Sequence, residues 1–397
     1  MDATASADDW VDDVLSPDDG WCIGSVDIPV PCEKVRKPEN EADTFRVNGI
    51  HYRKLTHVIK EACEDPSSKN FHYIPFQEYW KHDSDSARYC RIFSEIYNSD
   101  AMLEEDAKLR AEPRQPEDAP DVEYAIIAML PYSDSTRLAN FGKASLWPIY
   151  MFFGNQSKYF RGRPSAFAAH HVAYLPTLPD DFQDHYQAWF KEVASEETLR
   201  FCRKELFHAV WLLLMDEEFM HAYVHGMLVR CGDGIIRRLF PRFFCYLADY
   251  PEKVLVACVK FLAECPCPRC EIKKIYISSL ATTADYQRRS HIRVDTPQLH
   301  ATISSARYLI FNGGLSAASK RVKDILSPKS LLPTRSAFST RLAEHGFNVY
   351  RMLVPDLLHD VELGAGRDII VHLVRVLYAE GGSAIQMFNE RYDIPCH

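Results

Sequence analysis

Residues 124–130 read YAIIAML, an apolar run with no polar interruption, and the run ends in Pro131-Tyr132-Ser133-Asp134. So short and continuous a stretch, closed by turn residues, fits a strand buried on both faces with a carboxylate at its C-terminal end. Residues 147–153 (WPIYMFF) and 169–175 (AHHVAYL) follow as two more strands. Residues from about 181 to 227 read as long helices, and 235–247 carry a later strand over 243–247 that runs into Asp249. Residues 251–264 open with Pro at a first-turn position and read as helix. Leu358, Val361, Ala365, Ile369, Leu373 and Val376 keep three-four spacing, which predicts an amphipathic helix over 356–378. Gly364 and Gly366 weaken its first turns by about 1 kcal/mol each.

The rest of the chain narrows the class. Its 397 residues suit one large α/β core with insertions or two domains, and 47% hydrophobic content excludes global disorder. The net charge of −9 is local: nine acids and no base precede Lys34, leaving 46 acids and 46 bases beyond it. Residues 1–45 therefore read as an acidic disordered tail, and 46–120 as a helical N-terminal region ending in a proline-containing linker. Residues 121–397 form the main domain, with helical insertions at about 181–227 and 284–350. No apolar run reaches about 18 residues, and the N-terminus lacks the basic start and apolar stretch of a secretory signal. Twelve dispersed cysteines without such a signal suggest reduced thiols in cytosol or nucleus.

The acids carry the chemistry. Asp134 ends the first strand, Asp249 the later one, and Glu362 lies on the last helix. Parallel neighbouring strands place ligands outside their carboxyl ends. Two carboxylates there and a third from a helix make an oxygen-rich cage for Mg²⁺ or Mn²⁺. Two such ions about 3.5–4 Å apart activate a water or a 3′-hydroxyl at a phosphodiester. Asp after a strand is also an ordinary turn and cap residue, so spacing alone does not decide.

Resemblance carries the reading further. The strings FHYIPFQEYW (from Phe71), YSDSTRLANFGKASLWPIYMFFGNQSKYFRGRPS (from Tyr132), HHVAYLPTLPD (from His170) and KELFHAVW (from Lys204) are similar to Plavaka-type transposases. These belong to the KDZ/CACTA-related DDE group of fungal DNA transposons. CGDGIIRRLFPRFFCYLADYPEKVL (from Cys231), CPCPRC (from Cys265), SLLPTRSAF (from Ser330) and FNVYRMLVPDLLHDVELG (from Phe347) extend the resemblance over more than three-quarters of the chain. It implies an RNase H-like fold: a mixed five-stranded sheet with flanking helices and a helical insertion before the final acid. It also implies DNA cutting and strand transfer at transposon ends, in the nucleus, by a Mg²⁺- or Mn²⁺-dependent trio holding two ions. The trio carried over is Asp134, Asp249 and Glu362, with Asp360 the runner-up for the third place and Asp233 a weaker candidate for the second. A homodimer is one assembly this admits, and no membrane is involved.

Three departures favour an alternative, an inactive or domesticated relic that keeps the fold and DNA binding without catalysis. Thr136 is followed by Arg137 where the family usually has His. Ala365-Gly366-Arg367 replaces bulky residues after Glu362, and the chain ends at Cys396-His397 where relatives run on, as in a C-terminally truncated element.

Cys267 and Cys270 form a CxxC that supplies two thiolates to Zn²⁺, and Cys265 and His359 are the candidates to complete the set. A buried free-thiol pair is the bland reading. His221 and His225 share a helical face but lack the Glu of a zincin. Among local basic clusters, Lys158, Arg161 and Arg163, and Arg237, Arg238 and Arg242, are the candidate phosphate contacts to DNA.

Overall fold

The computed structural model describes residues 15–82, 85–137 and 145–392. The apolar run becomes strand β5 (Glu123–Ser133), the axis of a seven-stranded sheet. Around it stand β1 (Trp21–Pro29), β2 (Thr44–Arg53), β6 (Pro148–Phe153), β7 (His170–Tyr174), β8 (Met227–Arg230) and β9 (Ile236–Phe243). Their order across the sheet is β1-β2-β7-β6-β5-β9-β8. Only β9 runs parallel to β5, with Arg237 opposite Glu123 and Phe243 opposite Met129; the other pairings are antiparallel. The five strands expected are thus seven, in a mixed α/β architecture.

Of the two extra strands on one edge, β1 comes from the segment read as a disordered tail, and β2 lies almost wholly in the segment read as helical. Val26 and Ile28 of β1 are buried opposite the buried Val47 and Phe45 of β2, and Val30 is buried just beyond the strand. Charge averaged over 1–45 concealed a local alternation of period two, which is the pattern that decides a half-buried strand. Residues 1–14 lie outside the described residues. The region expected to be helical up to residue 120 is mixed: it holds helices α1 (Leu55–Glu64) and α2 (Asp100–Ala111), but its aromatic stretches pair as the hairpin β3 (Glu78–His82) and β4 (Asp85–Ile92). Aromatic side chains fit a pleated surface better than a helix turn.

Helices α3 (Phe182–Phe190), α4 (Glu196–Leu214) and α5 (Glu217–His225) lie between β7 and β8. On α4, Trp211 is fully buried against Phe243, Tyr246 and Phe338, packing that locks this helix to the end of β9. Beyond β9, Leu247 makes a parallel bridge to Tyr132 and Tyr246 one to Leu353, so the chain keeps company with β5 up to the acids.

Two helical expectations change. The helix after Asp249, α6 (Tyr250–Val256), stops long before residue 264, where Cys258 and Leu262 adopt left-handed backbone (φ 52° and 48°). The helix expected over 356–378 is divided: Leu357–Gly366 is wound as a π-helix, broken at Gly364 (φ −96°, ψ −112°), and α7 (Arg367–Glu380) follows. Its apolar stripe faces outward, with Leu358 48%, Val361 44%, Ile369 58% and Leu373 54% exposed.

Candidate active site

Strand direction builds the site. Tyr132 and Leu247 bridge in parallel, so Asp134 and Asp249 each leave the sheet two residues later on the same side. Both are half-buried. Asp249 is also the N-cap of α6: its Oδ1 accepts from the Glu252 backbone N–H at 3.0 Å. Pro251 in the first turn needs no such partner. The second carboxylate oxygen of Asp249 makes no hydrogen bond among the described residues.

Between the two aspartates and the core stands Glu252, a residue the sequence reading did not single out. It is 6% exposed and accepts from Trp147 Nε1 at 3.0 Å and Tyr246 Oη at 3.2 Å, with a further short contact to Ser133 Oγ. Burial, then the negative charges of Asp249 and Asp134, push its carboxyl up to about 8, while the bonds from Trp147 and Tyr246 oppose this. Glu252 is thus largely a neutral acid at pH 7, and its response to both aspartates shows them to be electrostatic neighbours. The signal available was Asp249-x-x-Glu252, the spacing of a capping box. Here the Glu turns inward instead of back to the cap.

The far wall comes from residues 356–360. His359 Nδ1 lies 2.5 Å from Asp356 Oδ2, and that bond, reinforced by the charges of Asp356, Asp249 and Asp134, raises the imidazolium pKa. Asp360, the runner-up acid, pairs with the buried Lys253 of α6 and accepts from the Asp356 N–H at 2.9 Å. Glu362 is exposed on the π-wound segment. The structure therefore brings together Asp134, Asp249, Glu252 and His359, with Asp356 and Asp360 beside them. Among the described residues, no three His, Cys, Asp or Glu side chains are arranged to hold a metal ion. Asp233 is a turn residue, its carboxylate bonded twice to Arg237 at 2.8 Å.

Of the cysteines, Cys267 and Cys270 come together. The Cys270 thiol donates to Cys267, which lowers the Cys267 pKa and raises that of Cys270. Cys265 Sγ instead faces the Pro328 carbonyl at 3.9 Å, and His359 is engaged by Asp356. The loop is held by Arg293, 1% exposed, which donates to the carbonyls of Cys265 (3.0 Å), Cys267 (3.0 Å) and Lys329 (2.8 Å).

The six basic residues chosen as phosphate contacts do not flank the acids. Arg237 pairs opposite Glu123, ten residues before Ser133, which at about 3.3 Å per residue is roughly 33 Å away along the strand. Residues 158–163 follow β6 where Phe153 opposes Met129, also toward that opposite end. Burial spends most of these charges within the fold. Arg237 and Arg238 are 5% and 6% exposed and bonded to Glu123, Asp233 and Asp118. Arg161 lies 3.6 Å from Glu95, Arg242 donates to the Tyr223 carbonyl at 2.6 Å, and Lys158 to that of Ser94 at 3.1 Å. Arg163 alone of the six is exposed with no side-chain bond among the described residues. A run of basic residues in sequence says nothing about whether acids elsewhere in the chain meet it.

Compared with protein families, residues 6–374 of the 397 match the Plavaka transposase family. The chain belongs to that family. Membership makes this a transposase-type protein and implies DNA as its partner. No curated protein matches the chain. No helix among the described residues is long and apolar enough to cross a membrane.

Proposed function

We propose that this transposase-family chain cuts and joins phosphodiester bonds at transposon ends, with Asp134 and Asp249 as the central carboxylate pair. The observation that carries this is the parallel bridge between Tyr132 and Leu247, which delivers both aspartates to one end of the sheet beside Glu252. An RNase H-like core is supported by β7-β6-β5 as an antiparallel trio, β9 parallel beside β5, and Leu353 bridging in parallel outside Tyr246. β1, β2 and β8 are then additions at the edges.

The donor set suits a hard divalent cation, since it offers carboxylate oxygens and no thiolate. Asp134 and Asp249 would hold Mg²⁺ or Mn²⁺; Glu362, exposed on the π-wound segment, is the third acid on the family resemblance alone. Metal held there would supply Lewis-acid chemistry for attack at, and departure from, a phosphodiester. The chain's own groups do the rest. Glu252, protonated, keeps a third negative charge out of the pocket floor and fixes Ser133 and Trp147 around it. His359, whose charged form the bond to Asp356 favours, is the candidate partner for a phosphate oxygen beside the aspartates.

Asp134→Asn and Asp249→Asn test the reading on a labelled transposon end with Mg²⁺ or Mn²⁺. Asn also caps helices, so Asp249→Asn keeps α6. Both variants should lose nicking while their circular dichroism is unchanged; nicking that survives in either sinks the assignment. The exposure of Glu362 favours a second reading, a relic that retains the fold without catalysis. Calorimetric titration with Mn²⁺ separates the two, because the relic gives no heat that depends on Asp134.

A further inference from the structure

Beside the acids, on the other flank of α6, lies a cavity of about 1020 Å³. Its floor is apolar, built by Trp147, Phe201, Val254, Leu255, Leu331 and Leu332. Its charged lining is unbalanced: Arg200, Arg203, Lys204, Lys260 and Lys323 against Glu197 and Glu264. Arg200 is tied to Glu196 and Glu197, and Arg203 reaches Glu196 at 4.0 Å. Lys204, Lys260 and Lys323 form no ion pair among the described residues. Lys204 is half-buried, and desolvation lowers its pKa. An ammonium kept in such a place gains most from an anion that enters.

The cavity shares structure with the acid site. Trp147 lines it and also donates to Glu252, while Pro251, Val254 and Leu255 belong to the helix that Asp249 caps. We propose that this cavity takes one or two unpaired nucleotides of a DNA strand, phosphates on Lys204, Lys260 and Lys323 and a base against the Trp147–Leu255 wall. Its volume matches a drug-sized occupant and excludes duplex, whose major groove alone is about 12 Å wide. Lysines around an aromatic and aliphatic floor are the combination that holds single strands, since every base offers a π-face. The choice of a nucleic acid over an acidic peptide rests on the transposase reading, because the occupant lies next to the carboxylates assigned to the phosphodiester.

The test is fluorescence anisotropy of an end-labelled oligo-dT of about eight nucleotides, in chelator, over a range of salt. Lys260→Gln combined with Lys323→Gln alters two exposed residues and leaves the core intact. It should weaken binding about tenfold and make the log K against log[salt] slope shallower by about 1.4, or about 0.7 per lost phosphate contact. Lys204→Met should weaken binding again. Unchanged binding in these variants overturns the proposal. So does equal competition by blunt duplex, or displacement by a poly-glutamate peptide with the same lysine dependence. Asp134→Asn separates this from the catalytic reading. If it still cleaves while lysine-dependent binding holds, the catalytic reading falls and the pocket stands. Lysine-independent binding with cleavage lost in Asp134→Asn gives the reverse.

Discussion

Glu252 gives the sharpest quantitative expectation. Its carboxyl is raised from 4.5 to about 8, chiefly by burial and then by its aspartate neighbours. In metal-free buffer, the folded chain keeps this proton between those values and the unfolded chain releases it. The native state then binds more protons than the unfolded one, so stability falls as pH rises through the window. Stabilisation is complete below 4.5 and lost above about 8. The difference corresponds to about 5 kcal/mol across the window, or about 1.4 kcal/mol per pH unit in its middle. Glu252→Gln preserves the shape and offers an oxygen to Trp147 and an amide to Ser133, without a titrating proton. Urea unfolding of both proteins with chelator, from about pH 5 to pH 9, isolates the effect as the difference between the two curves, because other titrating groups cancel. The stability of Glu252→Gln relative to wild type should rise by several kcal/mol toward alkaline pH. Parallel curves would refute the reasoning and mean that the Glu252 pocket is wet or its carboxylate compensated.

Further expectations concern the edges of the site. Ile28→Ala should cost about 2–5 kcal/mol in urea unfolding, because β1 belongs to the core; a change near zero would return that segment to a loose tail. Arg293→Met strands two carbonyls in the cysteine loop and that of Lys329 beside it and should cost about 3–5 kcal/mol, while a zinc chelator should leave the melting temperature unchanged. The opposite pattern would mean that metal, not Arg293, holds that loop. Asp356→Asn should lower the pKa of His359 followed by NMR, since their hydrogen bond is the main cause of the raised value. An unmoved titration would place the control with Asp134 and Asp249.

The sequence could announce β5, β6 and β7, because each is a short apolar run bounded by polar turns, and burial on a sheet requires little else. It also marked Asp134 and Asp249, for a carboxylate after a strand is a local pattern. It could not show that β1 and β2 extend the sheet: the alternating residues of β1 are outweighed by the acidic composition around them, and β2 opens a region whose aromatic-rich stretches suggested helix. Nor could it show that Arg237 and Arg238 are spent on Glu123, Asp233 and Asp118, acids supplied from elsewhere in the fold. Glu252 is the clearest case. In sequence it is a first-turn acid on a helix, and only the closing of Ser133, Trp147 and Tyr246 around it removes the water that would have kept it an ordinary carboxylate. Local pattern chose the strands and the acids at their ends. Which charges stay in water, and which are paired or neutralised, was set by distant parts of the chain meeting, because desolvation and Coulomb energy depend on neighbours in space.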